Sequence, residues 1–185
     1  MSLEKAILGF LSYQPMTGYD LKKLFDGSVR HFWYADQSQI YRTLAKLAEE
    51  GMATIEVINQ NDKPDRKVYH ITPAGLTDLR TWLSSPFPVE QAHSGPLVQV
   101  FFSGKLSDQE VLQRMEKVAD LFKEILKRYE MVPQVVEEYI KLVGSQREAY
   151  FWMCTLDLGI ETMKTQLAWA EKIIADLKLN RVPEQ

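Results

Sequence analysis

The 185-residue chain is poor in cysteine and histidine and carries no excess of basic residues. A single cysteine, Cys154, cannot close an internal disulfide, which excludes a small fold held together by cross-links. Its neighbours Trp152, Met153 and Leu156 place it on what reads as a buried helical surface, a small core hydrophobe rather than a redox switch. The three histidines, His31, His70 and His93, lie far apart, without a cysteine partner or His-x-x-His spacing, so no metal site is expected. Twenty-two Lys and Arg against 25 Asp and Glu leave a formal charge of −3 and an isoelectric point near 5.7, which excludes a bulk polycation. Any nucleic-acid affinity must therefore arise from a local patch. No run approaches the ~18 apolar residues needed to cross a bilayer, and no secretory leader pattern opens the chain, so a cytoplasmic protein without membrane contact is expected. A glycine-rich phosphate loop, a serine elbow and a zincin motif are all missing. Acidic pairs such as Glu49-Glu50 and Glu137-Glu138 are adjacent on helices and diverge, so neither an enzyme nor a bound cofactor is expected.

Pro86, Pro88, Ser94, Gly95 and Pro96 crowd one short stretch, which divides the chain into residues 1–85, a linker at 86–96, and residues 97–185. The first part holds ten basic and ten acidic residues, so the net negative charge sits in the second. Leu3, Ile7, Leu8 and Leu11 form the apolar stripe of a first helix ending near Gln14-Pro15. Thr17 and Asp20 have capping-box spacing for a second, whose buried face is Leu21, Leu24 and Phe25. After the aromatic connector His31-Phe32-Trp33-Tyr34, Asp36 caps a third helix with Ile40, Leu44 and Leu47 inward and Gly51 at its end. The period then changes. Ile55 and Val57 alternate with polar residues, and Val68, Tyr69 and Ile71 resume beyond a polar tip, which predicts a hairpin. Thr72-Pro73 opens a fourth helix through Leu76, Leu79 and Leu83. Three helices, a two-stranded ribbon and a closing helix are the order of a winged helix-turn-helix.

With Ile40, Leu44 and Leu47 inward, the 100° helical step turns Gln39, Arg42, Thr43 and Lys46 outward, while Gln37 and Ser38 project from the first turn. Gln and Arg suit the edges of adenine and guanine, Ser and Thr suit either, and a helix N-terminus favours phosphate. In the hairpin, Lys63, Arg66 and Lys67 suit the phosphates beside the groove, although Asp62 and Asp65 lie among them. Glu49 and Glu50 restrict the approach to the first two turns of the third helix.

These residues carry a resemblance. Leu8-Gly9-Phe10-Leu11, Thr17-Gly18-Tyr19-Asp20-Leu21, Gln39-Ile40-Tyr41, Leu44, Leu47, Glu50-Gly51, Arg66-Lys67-Val68-Tyr69 and Ile71-Thr72-Pro73-Ala74-Gly75 together resemble the PadR-like family of bacterial transcriptional regulators. The second part resembles the longer branch of that family at Tyr150-Phe151 and at Thr155 to Ile160. The resemblance implies a homodimeric winged-helix repressor on an imperfect palindromic operator, released in some members by a small molecule. It carries DNA contact to Gln37, Ser38, Gln39, Tyr41, Arg42 and Lys46 in the recognition helix and to Lys63, Arg66 and Lys67 in the wing. Tyr19 and Tyr41 admit two roles: a hydroxyl on phosphate, or a ring packing the second helix on the third.

The second part is all helical by pattern. Ser107 and Glu110 form a further capping-box pair. The set Val111, Met115, Val118, Phe122, Ile125 and Tyr129 repeats in steps of four and three until Pro133 interrupts it, as do Leu156, Ile160, Met163, Leu167, Ala170, Ile174 and Leu177. Such coiled-coil-like seams must be covered, either by an internal antiparallel pair or between two copies of the chain. The resemblance favours a homodimer, whose half-sites would lie about 34 Å apart. Phe101, Phe102, Phe122, Tyr129, Tyr139, Tyr150, Phe151, Trp152 and Trp169 are numerous enough to line a pocket for an aromatic or phenolic effector, with Trp152 as its lining residue and Trp169 structural. The expected fold is thus mainly α: a winged helix-turn-helix with a two-stranded wing, then a helical dimerisation domain. The expected function is sequence-specific binding to double-stranded operator DNA, with or without an effector. A winged helix that binds a partner protein is the alternative, and salt-dependent binding to duplex DNA separates the two.

Overall fold

A computed structural model describes residues 2–59, 65–87, 94–132 and 143–183. The expectations for Lys63, His93, Pro133, Glu137, Glu138 and Tyr139 fall outside the described residues, as does the side chain of His31. The chain forms two compact units, residues 1–88 and 89–185.

In the first unit, α1 (Ser2–Leu11) buries Ile7, Leu8 and Leu11 and packs on the helices Gln37–Glu49 and Pro73–Leu83. β1 (Met16–Thr17) leads into α2 (Gly18–Gly27), whose capping box joins Thr17 and Asp20 in both directions. The hydroxyl of Thr17 accepts from Asp20 N–H at 3.1 Å, and the Asp20 carboxylate accepts from the Thr17 N–H and hydroxyl. α3 (Gln37–Glu49) is closed at its start by Asp36 and Gln39, and it buries Ile40, Leu44 and Leu47. It ends in a Schellman motif: Gly51 stands at φ +72°, its N–H reaches Ala48, and Met52 N–H reaches Leu47 at 2.8 Å. That left-handed position suits glycine because a side chain there would crowd its own backbone carbonyl, although the space around Gly51 is open.

β2 (Ala53–Ile58) and β3 (Arg66–Ile71) pair antiparallel, from Ala53 opposite Ile71 to Ile58 opposite Arg66. The ribbon is wider than the hairpin the sequence predicts, because β1 joins it as a third strand on β3. Two residues show no alternation, and their partners Tyr69 and Val68 lie some fifty positions on, so no local pattern marks them. α4 (Pro73–Leu83) is capped by Thr72 with Pro73 in its first turn. It buries Gly75 and Leu79, while Leu76 and Leu83 of the same apolar spacing are exposed. Phe25, Ile7, Leu8, Leu21, Ile40, Leu44 and Leu47 are almost inaccessible and form the core. Burying such a side chain contributes about 1.5–3 kcal/mol.

The second unit holds α5 (Gly95–Phe101), α6 (Asp108–Glu130) and the long α7 (Gln146–Lys178). Ser107 and Glu110 close the start of α6 in a reciprocal capping box. α6 and α7 run antiparallel, since Glu116 meets Lys178 at 2.7 Å while Lys123, further along α6, meets Glu171, earlier on α7, at 3.3 Å. Met115, Ala119 and Ala170 are the buried centre of their contact, flanked by Val111, Val118, Phe122, Leu167, Ile173 and Ile174. An internal pair therefore covers part of both seams. Cys154 corrects the sequence reading: it is exposed in the chain, because the buried line of this half of α7 runs through Ala149 and Leu156. Trp152 is half-buried, and Trp169 is 36% exposed.

Candidate nucleic-acid interface

The inward set of α3 fixes what it presents outward. Gln37, Ser38, Gln39, Tyr41, Arg42 and Lys46 are all exposed, and Thr43 is half-buried with its hydroxyl donating to the Gln39 carbonyl at 2.8 Å. Their freedom differs. The Gln39 side chain closes the helix cap, its Oε1 accepting from Asp36 N–H at 2.9 Å, so its NH2 alone remains to donate outward. Arg42 holds only the Ser38 carbonyl, through Nε at a long 3.4 Å, and its guanidinium has no acidic partner among the described residues. Lys46 is bound between Glu4 of α1 at 2.5 Å and Glu50 at 3.7 Å. The hydrogen bond and charge of Glu4 hold that ammonium above its ordinary range, and Lys46 in turn holds the Glu4 carboxyl below its own.

Beside α3 the start of α2 and the root of the wing enclose an open groove of about 540 Å³, lined among others by Thr17, Tyr19, Tyr41, Arg66 and Lys67. Tyr19 is 67% exposed and Tyr41 41%. Gly18 makes room for Tyr41: a Cβ on Gly18 would stand 2.7 Å from two atoms of that ring. The packing role foreseen for Tyr41 is therefore present, with its outer edge still open. Tyr69, buried on β3, has its phenol pushed up by burial, with Tyr41 adding to the effect. Arg66 donates from Nη2 to Asp20 at 3.1 Å, so this wing cation has a carboxylate beside it. Lys67 is exposed and has no acidic partner among the described residues. The structure thus brings Tyr41, Arg66 and Lys67 to one groove and, among the described residues foreseen for DNA, leaves Arg42 and Lys67 as the cations without an acidic partner. The sequence reading found Asp20 only as a helix cap. Its link to Arg66 spans 46 positions and leaves no local signal.

Comparison with known proteins bears on what this surface belongs to. The profile described as "Transcriptional regulator PadR-like family" matches residues 7–81, and that described as "Virulence activator alpha C-term" matches residues 96–178. The Negative transcriptional regulator PadR of Bacillus subtilis is 32% identical over 181 residues, which cover 94% of this chain and 96% of that protein. The chain belongs to the PadR-like family of transcriptional regulators. Among solved structures, this PadR-like chain is similar to Bacillus subtilis PadR in complex with operator DNA, at 28% identity and a TM-score of 0.79, covering 96% of this chain and 99% of the other. The same relative in complex with p-coumaric acid matches at a TM-score of 0.64 and 28% identity over the same shares. These likenesses bear out the winged-helix architecture and the reading of the chain as a regulator of transcription. Among the described residues, no helix of this PadR-like chain is long and apolar enough to cross a membrane.

Proposed function

We propose that this chain is a homodimeric repressor that reads a palindromic operator with the first two turns of α3 and grips the flanking backbone with the wing. The observation that carries the reading is Arg42 on the outward face of α3 and Lys67 on the wall of the neighbouring groove, neither with an acidic partner among the described residues. A guanidinium free of carboxylates can make the paired hydrogen bonds that guanine accepts, and a free ammonium can neutralise a phosphate. Gln37 and Ser38 extend the base-reading row, while Gln39 contributes its NH2. Tyr41 offers a hydroxyl from a ring already fixed by packing. The operator complex of the Bacillus subtilis relative supports this assignment.

Residues 1–85 form the DNA-binding domain, 86–96 the linker and 97–185 the dimerisation and effector domain of this reading. The p-coumaric acid complex of the relative supports a phenolic acid as the effector class, with Trp152 lining its site. The protein acts in the cytoplasm and has no enzymatic role.

Fluorescence anisotropy tests the reading, with a duplex from upstream of the protein's own coding region, a scrambled duplex, and a salt series. The upstream duplex is expected to bind tighter by ~10³-fold or more. Lys67→Ala is expected to weaken binding to both duplexes and flatten the salt slope by about one per bound protomer. Equal, salt-insensitive binding to both by the folded dimer would overturn it in favour of a partner protein. Addition of p-coumaric acid is expected to release the upstream duplex and to quench a fluorescence component that Trp152→Phe removes.

A further inference from the structure

A carboxylate stands inside the surface assigned to DNA. Asp20 lines the same groove as Tyr41 and Lys67, where a negative charge opposes an approaching phosphate. Capping alone does not require it there, since the Thr17 hydroxyl already receives Asp20 N–H at 3.1 Å and a neutral amide would return the bond equally well. What the carboxylate adds is the third bond to its Oδ2. That oxygen accepts from the Thr17 hydroxyl at 2.7 Å, from Thr17 N–H at 3.3 Å, and from Arg66 Nη2 at 3.1 Å. Arg66 is the first residue of β3, two positions tipward of Val68, which pairs with Thr17. The ion pair thus continues the β1–β3 contact toward the wing tip. It fastens the tipward end of β3 to the first turn of α2, and it leaves one of the two described wing cations already compensated.

We infer that Asp20 is a positioning residue for DNA recognition: acting through Arg66, it sets the wing on the helix-turn-helix and withholds that cation from phosphate, so that binding to non-cognate DNA stays weak. This rests on the DNA-binding reading above. Charge supports it from the other side. Burial pushes the Asp20 carboxyl up, but the Thr17 hydrogen bonds and then Arg66 outweigh that and hold it below the ordinary carboxylate range, so the group is ionised at neutral pH. Binding that counts neutralised phosphates loses one count for a cation held this way.

Asp20→Asn keeps the shape and the cap and removes the charge. In the full-length chain it is expected to raise affinity for a scrambled duplex several-fold, steepen the salt slope by about one per bound protomer, and lower the operator-to-scrambled ratio. Arg66→Gln is expected to lower that ratio while leaving the slope nearly unchanged, in contrast to Lys67→Gln, which flattens it. In the Arg66→Gln background, Asp20→Asn is expected to change the slope no further. An equal steepening with and without Arg66 would show direct repulsion and overturn the linkage. An unchanged slope and ratio in Asp20→Asn, with only the melting temperature altered, would reduce Asp20 to a cap. Should Asp20→Asn fail to fold, Arg66→Gln decides alone, because a slope flattened as far as by Lys67→Gln would mean that Arg66 was free for phosphate. Failure of the wild-type chain to bind DNA with salt dependence would instead overturn the parent reading, and that control separates the two.

Discussion

Gly18→Ala separates the two roles open to Tyr41. Gly18 begins α2 and shows no left-handed backbone, so what it supplies is space. The added Cβ would stand 2.7 Å from Cε1 and Cζ of Tyr41, against the 3.4 Å at which ordinary contact begins, so the ring must retreat by about 0.7 Å. Tyr41 is 41% exposed and can swing toward solvent, so the strain falls at the low end of overpacking, about 1 kcal/mol. The gain of alanine over glycine in a helix offsets up to about 1 kcal/mol of it. Melting should therefore move by only a few degrees, at ~4–8 °C per kcal/mol for a unit of this size. Operator binding should suffer far more. A hydroxyl displaced by ~0.7 Å from a phosphate lengthens a ~2.8 Å bond to the limit of hydrogen bonding. Such a bond to a charged group contributes ~1.5–3 kcal/mol, so affinity should drop by roughly tenfold or more per half-site. Circular dichroism melting and anisotropy on the same sample read both quantities, and Tyr41→Phe should reproduce the affinity loss with the melt intact. A large fall in melting temperature with operator affinity preserved would refute the argument and leave Tyr41 as a packing residue alone.

Other perturbations follow from the same geometry. Gly75→Ala would drive a Cβ to 2.3 Å from the Met52 carbonyl, which is pinned by the Thr72 N–H at 3.0 Å, so a loss of about 2–4 kcal/mol and a melting drop above ~8 °C are expected. Gly9→Ala, with open space around it, should raise the melting temperature slightly, and a matching drop there would show that glycine loss alone was being measured. Arg42→Ala should cost about 1–3 kcal/mol of operator affinity and relax preference at one position per half-site, and selection from a randomised operator library reads that position directly. Acid should unfold the first unit through Glu4 and Asp20. Lys46 draws the Glu4 carboxyl down, while at Asp20 burial works upward and the Thr17 and Arg66 contacts prevail. Both folded values lie below the unfolded ones, so their stabilisation is present above the unfolded range and lost as pH falls below about 4. A pH series of melts should stay flat from pH 7 to about 5 and then decline, less steeply in the Glu4→Gln, Asp20→Asn double variant.

How far the sequence disclosed this molecule depended on the distance over which each interaction acts. The caps at Thr17, Asp36, Thr72 and Ser107 are all local, so the spacing of Thr17 with Asp20 and of Ser107 with Glu110, the residue type of Asp36 and the Thr72-Pro73 pair announced four helix starts. Ile40, Leu44 and Leu47 set the outward face of α3 by the same local periodicity. β1 escaped because two residues cannot display a period, and the exposure of Leu76 and Leu83 beside buried Leu79 had no signal because an apolar spacing does not say which members of a stripe the fold covers. Cys154 went wrong in the same manner, since apolar neighbours in sequence are not neighbours across a helix face. The partners of the interface cations are the deepest loss. Glu4 and Asp20 reach Lys46 and Arg66 over 42 and 46 positions, and nothing local joins them.

That last point resolves an apparent conflict in the charge. A first domain with as many acids as bases looks unsuited to DNA, yet what phosphate meets is the pairing of those charges and not their sum. Lys5 is held by Asp78, Lys22 and Arg30 by Asp26, Lys46 by Glu4 and Glu50, and Arg66 by Asp20. Exposed pairs of this kind contribute little to stability, so their consequence lies in what they remove from the field. Each sequesters a cation, while Arg42 on the recognition helix and Lys67 on the wing, like Lys23 of α2 and Arg80 of α4, have no ion pair among the described residues, and of these four only Arg42 and Lys67 belong to the surface assigned to DNA. The salt slope should then track those two side chains more than the basic count. A domain of zero net charge can in this way present a positive edge at the groove while giving non-cognate DNA little to hold.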